Sequence, residues 1–477
     1  MKRFLFRTLL GAAGIAVAAT AHAQTTPVTS TLALATFDSA WARIDRSFYD
    51  TTFLASRWRV LRDSLRPIAA GAKTNVQLRG VLNTLLASVG VSHFGIIPHE
   101  ISPDFDEQPK SGRAITTAKA TTASTAIANG TATSGTDARV GAEPGTIGVS
   151  LRLADGHLVV WKVDSTGPAW AQGVRPGVEV RSVEHASTAD AIDQLAALGD
   201  ESLRRNARMT AVMRANAMLA GPVGDTAVLV LGNVGAEQTY RVVRAPVRGV
   251  MSRFANLPQI NAVFDTSTRA VHGPSGMRRI GVISFSVWLP ALSDPLNRVF
   301  DRYRNADALV LDLRGNPGGL SGMINGIAGH LVDSAYTLGT LHMRGLTLQL
   351  KANPQRVSPE AKRVEPFSGP VVVIIDPLSA SATEFFTAGL QGLGRVHVIG
   401  ETSAGASVPA LMGRLPNGDV MLHAIADHTD SKGRRIEGVG VVPDEIVPLK
   451  AAALRAGHDE AMEAALRWAA QQSGKKR

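Results

Sequence analysis

The most constraining feature of this 477-residue sequence is a short apolar run followed at once by a turn and a helix start. The five β-branched residues Val371–Ile375 stand between Gly-Pro and Asp-Pro, a pattern typical of a buried strand. The next apolar-periodic segment, 382–390, predicts a helix. Ser381 therefore lies at a strand-to-helix junction, where unpaired N–H groups and the helix dipole can stabilise an oxyanion. Serine is also a common helix N-cap, so the junction alone leaves both roles open.

Two further segments favour the catalytic interpretation. A second apolar run, Ala308–Leu313, predicts another buried strand, and it leads into the glycine-rich turn Gly315–Gly319. The amides of such a turn can face a substrate carbonyl. Further along the chain, Ile436–Asp444 places Glu437 in a turn punctuated by glycines. Nucleophile, amides and carboxylate would then come from three separate loops.

Together these segments resemble the tail-specific (C-terminal-processing) serine protease family. The motifs that carry the resemblance are DLRGNPGG, SASATEFF, RVHVIGETSAGAS and IEGVGVVPD, in this order between Ile280 and Pro448. The resemblance implies an α/β (α+β multidomain) protein whose catalytic domain has a ClpP/crotonase-like fold. It also implies hydrolysis of peptide bonds without a metal or an organic cofactor.

Aligned with that family, the SASATEFF motif places the nucleophile three residues before Glu384, at Ser381. Ser379 is interpreted as part of the turn, and Glu384 as a helix-start residue favoured by the dipole. Thr383 is the third hydroxyl in the motif. The resemblance implies that backbone N–H groups hold the oxyanion, and the candidates are Ala382, Gly318 and Gly319.

The general base is not where many members of that family have it. Their lysine corresponds to Ala406 here, and a methyl group cannot accept a proton. The tricorn-like branch of the family instead carries a Ser-His pair, which matches Ser92 and His93. That resemblance implies His93 as base, with Ser92 linking it to Glu437 in a Ser-His-Ser-Glu site. A histidine with a pKa near its usual value would suit neutral pH, and Lys432 remains an alternative base.

The first 23 residues have the layout of a secretory signal peptide. Three basic residues precede an apolar run, which ends in Ala-His-Ala at residues 21–23. We expect cleavage after Ala23, a periplasmic or secreted protein, and no membrane span once the signal is removed. An uncleaved anchor is less favoured because the apolar run is short for a bilayer.

Composition excludes several classes of function. The chain has no cysteine, which rules out disulfides, cysteine nucleophiles and thiolate metal sites. Its formal net charge is +10, and removal of the three basic signal residues leaves 10 − 3 = +7. Only 5% of residues are aromatic, and no basic stripe is interleaved with aromatics, so we expect no nucleic-acid partner.

Apolar residues at helical spacing predict an N-terminal helical cap at residues 33–100, which carries Ser92 and His93 at its end. Pro67 is expected to stop the second helix of this cap. Residues 108–144 are rich in Thr, Ala, Gly and Ser and predict a linker.

Residues 145–235 resemble a PDZ domain with a helical insertion at 204–219. This resemblance implies that the loop containing Ile147, Gly148 and Val149 binds a peptide C-terminus, with the peptide added as a strand. The predicted catalytic domain spans 248–448, and residues 449–477 are expected to form a terminal helix and a basic tail.

The sequence thus predicts an exported serine endopeptidase that acts on proteins or peptides, with the substrate C-terminus as a candidate point of recognition. Two alternatives remain at this point. One is a non-catalytic peptide- or lipid-binding protein on the same fold. The other is a serine hydrolase of non-peptide substrates.

Overall fold

The computed structural model describes residues 26–101, 143–196, 198–233, 236–252 and 260–473. The predicted signal peptide lies outside the described residues, and the predicted linker lies outside them except at its last two positions. Within the described ranges, every helix is too short or too polar to cross a membrane.

The N-terminal cap contains three main helices, of which the first and third begin at side-chain caps, Thr29 and Thr74. They are α1 (Ser30–Ser47), α2 (Arg59–Ala70) and α3 (Asn75–Ala87). A helical turn (Thr51–Phe53) and a π-helical turn (Leu54–Trp58) lead directly into α2. Phe37, Trp58 and Leu82 are fully buried where these helices meet. The short strand β1 (Gly95–Ile97) follows the loop that carries Ser92 and His93.

The expectation that Pro67 stops the second helix is wrong. Helix α2 continues through Pro67 to Ala70, and the N–H of Gly71 closes it by bonding to the carbonyls of Pro67 and Ile68. A proline this close to the end removes a single helical hydrogen bond, so the last turn survives.

The middle module, residues 144–246, is built on an antiparallel sheet. Its strands are β2 (Pro144–Thr146), β3 (Val149–Ala154), β4 (His157–Val163), β5 (Glu179–Val183), β6 (Ala186–Ser187), β7 (Gly221–Pro222), β8 (Thr226–Asn233), β9 (Ala236–Val243) and β10 (Ala245–Pro246). Its helices are α4 (Pro168–Ala171), α5 (Thr188–Ala196) and α6 (Glu201–Leu219). The main sheet has the order β3-β4-β5-β8-β9, which leaves β3 at an edge, and α6 packs against that edge.

The predicted catalytic domain begins with a β-rich segment and continues as an α/β layer. Its strands are β11 (Val250–Ser252), β12 (Ile260–Ala262), β13 (Phe264–Gly273), β14 (Gly276–Phe285), β15 (Ala308–Asp312), β16 (Tyr336–Met343), β17 (Leu346–Ala352), β18 (Val371–Ile375), β19 (His397–Gly400), β20 (Ala410–Arg414), β21 (Val420–Ala424), β22 (Ala426–Asp430) and β23 (Glu445–Ile446). Its helices are α7 (Ser293–Arg302), α8 (Ser321–Gly329), α9 (Ala382–Gly392), α10 (Ala451–Arg455) and α11 (Glu460–Gln472).

The central sheet has the order β13-β14-β15-β18-β19-β23 and is parallel from β14 onward. Every residue of β15 and β18 is buried, as expected for parallel strands covered on both faces. Val371, Val373 and Ile375 face the core with α7, α8 and α9, whereas Val372 and Ile374 face α11. Because β15 and β18 are parallel neighbours, the loops that follow them meet at one edge of the sheet.

The cap and the predicted catalytic domain share a core. Strand β1 adds to the β20–β21 hairpin, and Val408, Leu415 and Met421 pack among the cap helices. Beside this core, the Arg79 guanidinium binds both oxygens of Asp419, with Nε–Oδ2 2.9 Å and Nη2–Oδ1 2.7 Å. Asp419 is fully buried, so this ion pair fastens α3 to the hairpin.

Arg79→Met is therefore expected to lower the free energy of unfolding by about 3–5 kcal/mol, because Asp419 would remain buried without its cation. Urea unfolding followed by tryptophan fluorescence measures the loss. Arg66→Met is the matched control, since Arg66 makes a similar two-pronged contact to Asp38 at the surface, where water screens the pair. Equal losses in the two variants would contradict the role given to Arg79.

Candidate active site

Ser381 lies where β18 and its turn lead into α9, and its backbone is unusual. It has φ 53° and ψ −118°, a conformation that a residue with a Cβ rarely adopts. Its N–H donates to the carbonyl of Ala406 at 2.8 Å and to Oε2 of Glu384 at 3.0 Å. The side chain is partly exposed. Such strained positions are concentrated at functional sites, which makes the hydroxyl of Ser381 the first candidate nucleophile.

The other two hydroxyls of the motif are built into the structure. Ser379 Oγ donates to the carbonyl of Leu313 at 2.9 Å, and Thr383 Oγ1 donates to that of Asn316 at 3.0 Å. Thr383 Oγ1 also accepts from the indole of Trp288. Ser381 Oγ, in contrast, makes no hydrogen bond to another side chain among the described residues, and it lies at the N-cap of α9 in a capping box with Glu384.

The three residues predicted to form the base system are joined by hydrogen bonds. His93 Nδ1 and Ser92 Oγ are 2.8 Å apart, and Ser92 Oγ donates to Glu437 Oε2 at 3.0 Å. The carboxylate of Glu437 also accepts the N–H of Ser92 at 2.6 Å and that of Ser407 at 2.7 Å. Since the one hydroxyl proton of Ser92 goes to Glu437, the Ser92 oxygen accepts from His93. His93 then carries its proton on Nδ1, and Nε2 keeps a free lone pair.

Burial shifts the pKa values of this system in opposite directions. Desolvation lowers the pKa of His93 to about 4, because it disfavours the charged imidazolium. The expectation of a pKa near the usual value is therefore wrong, although the imidazole is still neutral at pH 7. Desolvation also raises the pKa of Glu437, and the hydrogen bonds from Ser92 and Ser407 oppose that effect.

Ser381 and His93 belong to one connected network, although among the described residues no hydrogen bond joins their side chains directly. Ser381 N–H bonds to Ala406, and the next residue, Ser407, bonds to Glu437. Catalytic hydrogen bonds often close only when substrate is bound. His93 itself has φ 61°, so both residues have left-handed backbone.

The glycine turn after β15 lies directly against the nucleophile. A Cβ on Gly318 would lie 2.7 Å from Ser381 Cβ and 2.9 Å from the nitrogen of Ala382, so only glycine fits there. The N–H of Gly318 donates to Asn316 Oδ1 at 3.0 Å. The N–H of Gly319 makes no hydrogen bond within the described part of the chain. Of the two glycines, Gly319 is therefore the better partner for Ala382 in an oxyanion hole.

Comparison with known proteins identifies one domain of this chain. Residues 279–447 match the sequence profile of peptidase family S41. This chain carries a peptidase family S41 domain. A carboxyl-terminal-processing protease of Picosynechococcus sp. is 31% identical over 145 residues, which cover 30% of this chain and 33% of that protein. The chloroplastic carboxyl-terminal-processing peptidase 3 of Arabidopsis thaliana is 24% identical over 318 residues, 64% of this chain and 54% of that protein.

The matched segments thus span about a third and about half of these two relatives. The solved photosystem II D1 C-terminal processing protease superposes with a TM-score of 0.56 at 19% identity, over 94% of this chain and 100% of that one. The predicted resemblance to C-terminal-processing proteases and the predicted mixed α/β multidomain fold are confirmed. The PDZ-like module, the tricorn-like branch and the roles of individual site residues remain predictions.

Lys432 is poorly placed to serve the S41 domain as a base. It is exposed in the turn after β22, beside Gly392 at the last residue of α9. Ser381 precedes the first residue of that helix, and eleven residues of helix span about 16 Å. Ala406 is buried, and both its N–H and its carbonyl are hydrogen-bonded within the S41 domain.

Asp376 is a residue of the S41 domain that our sequence analysis did not single out. Its Oδ1 accepts the N–H of Gly315 at 2.8 Å and that of Leu378 at 3.0 Å, which ties the loops after β15 and β18 together. Its Oδ2 accepts Nε of Arg152, from the middle module, at 2.7 Å. The sequence signal for this role was an acidic residue directly after a buried strand. Because Asp376 precedes Pro377, our sequence analysis interpreted it as part of a turn.

The middle module borders the S41 site through α6. Met209 packs against Ala380, Ala404 and Ala406, and Arg205 donates to the carbonyl of Val439, beside Glu437. The same helix covers the edge strand β3. Asn216 accepts the N–H of Leu151 at 2.8 Å and donates to its carbonyl at 3.1 Å.

This contact bears on the predicted peptide-binding loop. Ile147 is fully buried, the N–H of Gly148 donates to Thr146 Oγ1 at 3.1 Å, and Val149 begins β3. A peptide strand added along β3 would need the backbone groups of Leu151 that Asn216 occupies. Peptide binding at this edge stays a prediction, and it requires α6 to move.

One group of side chains in the described residues has the spacing of metal ligands, namely His99, Glu100 and Asp419. The guanidinium of Arg79 bonds to both carboxylates of this group. A cation is thus already present, and the cluster is accounted for as an ion-pair network.

The lowered pKa of His93 predicts a specific dependence of stability on pH. An unfolded histidine titrates near 6.5 and the folded one near 4, so the unfolded state binds the extra proton between these values. Stability attributable to His93 is complete above pH 6.5 and falls by about 3 kcal/mol as the pH drops to 4. Urea unfolding at pH 7, 5.5 and 4 should therefore show a shallower acid loss for His93→Gln than for wild type.

His458→Gln is the matched control, because His458 is exposed. Wild type and His458→Gln should lose stability in parallel as the pH falls. A parallel loss in His93→Gln would contradict the desolvated environment assigned to His93.

Proposed function

We propose that this protein is a serine endopeptidase that uses Ser381 as nucleophile and His93 as general base. The observation that carries the proposal is the hydrogen-bonded series His93 Nδ1–Ser92 Oγ–Glu437, which leaves the His93 Nε2 lone pair free. The strained backbone of Ser381, in the same loop network, supports it further. The S41 domain supports the serine-peptidase class.

In this mechanism Ser381 Oγ attacks the substrate carbonyl while His93 Nε2 accepts the hydroxyl proton. The N–H groups of Ala382 and Gly319 stabilise the negative oxygen of the tetrahedral intermediate. Glu437, acting through Ser92, stabilises the imidazolium that forms. His93 then gives the proton to the leaving amine, and the C–N bond breaks to leave an acyl-enzyme. Water, activated by His93, releases the acid product.

Imidazolium formation is the demanding part of this sequence. The pKa of His93 is lowered to about 4 because its surroundings disfavour charge. Formation of the His93 imidazolium therefore depends on the negative charge of Glu437, which is connected to His93 through the hydroxyl of Ser92. Removing either Glu437 or the bridging Ser92 should leave a base that accepts protons poorly.

The substrates we propose are proteins or peptides, cleaved near their C-termini. The relatives described above are named carboxyl-terminal-processing proteases. The PDZ-like character predicted for the middle module would suit recognition of a C-terminus. We also propose export, from the signal-peptide pattern in residues 1–23.

A fluorophosphonate probe tests the nucleophile and the base directly. Purified wild type is expected to form a covalent adduct at Ser381, whereas Ser381→Ala and His93→Ala are expected to lose labelling. Ser379→Ala and Lys432→Ala serve as matched controls. Lys432→Ala should label as wild type does, and any adduct formed by Ser379→Ala should map to Ser381 by mass spectrometry of tryptic peptides.

Loss of labelling in Lys432→Ala but not in His93→Ala would overturn the assignment of the base. A folded wild type that neither labels nor cleaves peptides, yet binds peptide or lipid, would support the non-catalytic alternative. A wild type that labels and cleaves esters but not peptides would support a hydrolase of non-peptide substrates.

Ser92→Ala tests the relay. The variant keeps His93 but removes the hydroxyl between Nδ1 and Glu437, so we expect the labelling rate at pH 8 to fall about 100-fold. Ser88→Ala, at the end of the helix that leads into the same loop, is the matched control and should label at the wild-type rate. An unchanged rate in Ser92→Ala would show that Glu437 does not act through this hydroxyl.

A further inference from the structure

A second buried carboxylate lies behind the nucleophile, and the mechanism above does not use it. Glu384, in the first turn of α9, has no exposed surface. Our sequence analysis interpreted it as a helix-start residue favoured by the dipole. The structure assigns it more contacts than that role needs.

Four donors converge on the two oxygens of Glu384. Oε1 accepts the hydroxyl of Ser403 at 2.5 Å and the N–H of Gly405 at 2.7 Å. Oε2 accepts the N–H of Ser381 and the N–H of Ala406, each at 3.0 Å. The Ser403 hydroxyl in turn accepts the N–H of Val441 at 2.6 Å, so its proton is directed at Glu384. Every partner donates, and the group is used only as an acceptor.

These contacts join the two halves of the proposed site. Oε2 alone bonds to the backbone of the nucleophile and to that of Ala406, whose carbonyl also accepts from Ser381. The next residue, Ser407, donates its N–H to Glu437. The carboxylate of Glu384 therefore fixes where the nucleophile lies relative to the carboxylate that serves the base.

The contacts also account for the backbone of Ser381. Its left-handed φ of 53° is unfavourable for a residue with a Cβ. One N–H shared between a carboxylate and a carbonyl holds it in place. Without the carboxylate, the Ser381 N–H would keep its bond to the Ala406 carbonyl alone, and this backbone conformation would be held less firmly.

We propose that Glu384 is a positioning residue for the proposed reaction, holding Ser381 and the segment 403–407 in register so that Ser381 Oγ faces the base and the oxyanion hole. This role rests on the proposed function and deepens it. Glu384 touches no substrate atom, and it acts through the backbone of Ser381 and Ala406.

The ionisation of Glu384 supplies a signature for this role. Burial raises its pKa to about 7, the hydrogen bonds from Ser403, Gly405 and Ser381 lower it, and the charge of Glu437 raises it. Only the ionised form accepts all four donors, because a proton on either oxygen would face a donor. Since the folded pKa lies above the usual value, the ionised form is lost as the pH falls through about 7.

The experiment compares fluorophosphonate labelling rates of wild type, Glu384→Gln and Glu401→Gln from pH 5.5 to 9. Glu401 is the matched control: burial also raises its pKa to about 7. It lies at the end of β19 and lines a cavity of about 530 Å³ between the middle module and the S41 domain. At pH 8 we expect Glu384→Gln to label about 100-fold more slowly, because its amide turns N–H groups toward donors and misplaces the nucleophile. Glu401→Gln should match wild type.

The pH profile separates positioning from general destabilisation. The wild-type rate should fall as the pH drops through about 7, and Glu401→Gln should keep this acid limb. Glu384→Gln should lack it and show a low, flat rate. Loss of folding alone would lower the amplitude of labelling without removing the limb.

Several outcomes would overturn the proposal. Labelling of Glu384→Gln at the wild-type rate, with the same fall in rate below pH 7, excludes a positioning role. Loss of that fall in Glu401→Gln, with its retention in Glu384→Gln, excludes it as well. If Glu384→Gln does not fold, the wild-type profile decides, because a rate that is flat between pH 6 and 8 excludes the role. A folded wild type that does not label at any pH overturns the proposed function itself, and the positioning role with it.

Discussion

The site depends first on the buried carboxylate of Glu437. Its side chain is almost fully buried, and such a charge is tolerated only when hydrogen bonds replace the lost water. The donors come from Ser92, at the end of the cap, and from Ser407, in the S41 domain. The carboxylate is therefore satisfied only when the cap is docked. Docking also places His93, so the proposed base is positioned in the same event that satisfies this buried carboxylate. The Arg79–Asp419 pair also joins the cap to the β20–β21 hairpin.

Backbone strain is the second constraint. Both Ser381 and His93 have positive φ, and such conformations cost about 1–3 kcal/mol each. At Ser381 the surrounding structure leaves little freedom: β18 is buried along its whole length, and Gly318 lies so close that a Cβ there would overlap Ser381. Parallel strands with fully buried sides make a rigid base from which one strained residue can project. The buried sheet thus prevents the backbone of Ser381 from relaxing, and hydrogen bonds at the edge of the sheet determine its conformation.

Sequence reasoning reached the parts of this site that leave a local pattern. The apolar runs predicted β15 and β18, and motif order predicted the site residues Ser381, Ser92, His93 and Glu437, of which the last three are joined by hydrogen bonds. It did not reach properties that arise from tertiary burial. The lowered pKa of His93 arises from burial in the folded protein. The bond from Asp376 to Arg152 joins residues 224 positions apart, and the donors to Glu384 lie up to 22 residues away along the chain. The prediction that the helix ends at Pro67 was wrong for a local reason, since a proline weakens the last turn of a helix without ending it.

The position of Ala406 connects these points. In lysine-dependent members of the tail-specific family, the ammonium group would come from this position, whose N–H bonds to Glu384 and whose neighbour Ser407 bonds to Glu437. Such a cation would favour the ionised form of both. In this chain a methyl group takes its place, and the main charge acting on Glu384 is the negative charge of Glu437, which raises its pKa. Hydrogen bonds from four donors must then keep Glu384 ionised, where a neighbouring cation would otherwise do so. In the mechanism proposed here, replacing lysine by histidine as base changes more than the proton acceptor. The support of Ser381 then depends on a carboxylate held by three backbone N–H groups and one hydroxyl, and we expect this support to be sensitive to pH near neutrality.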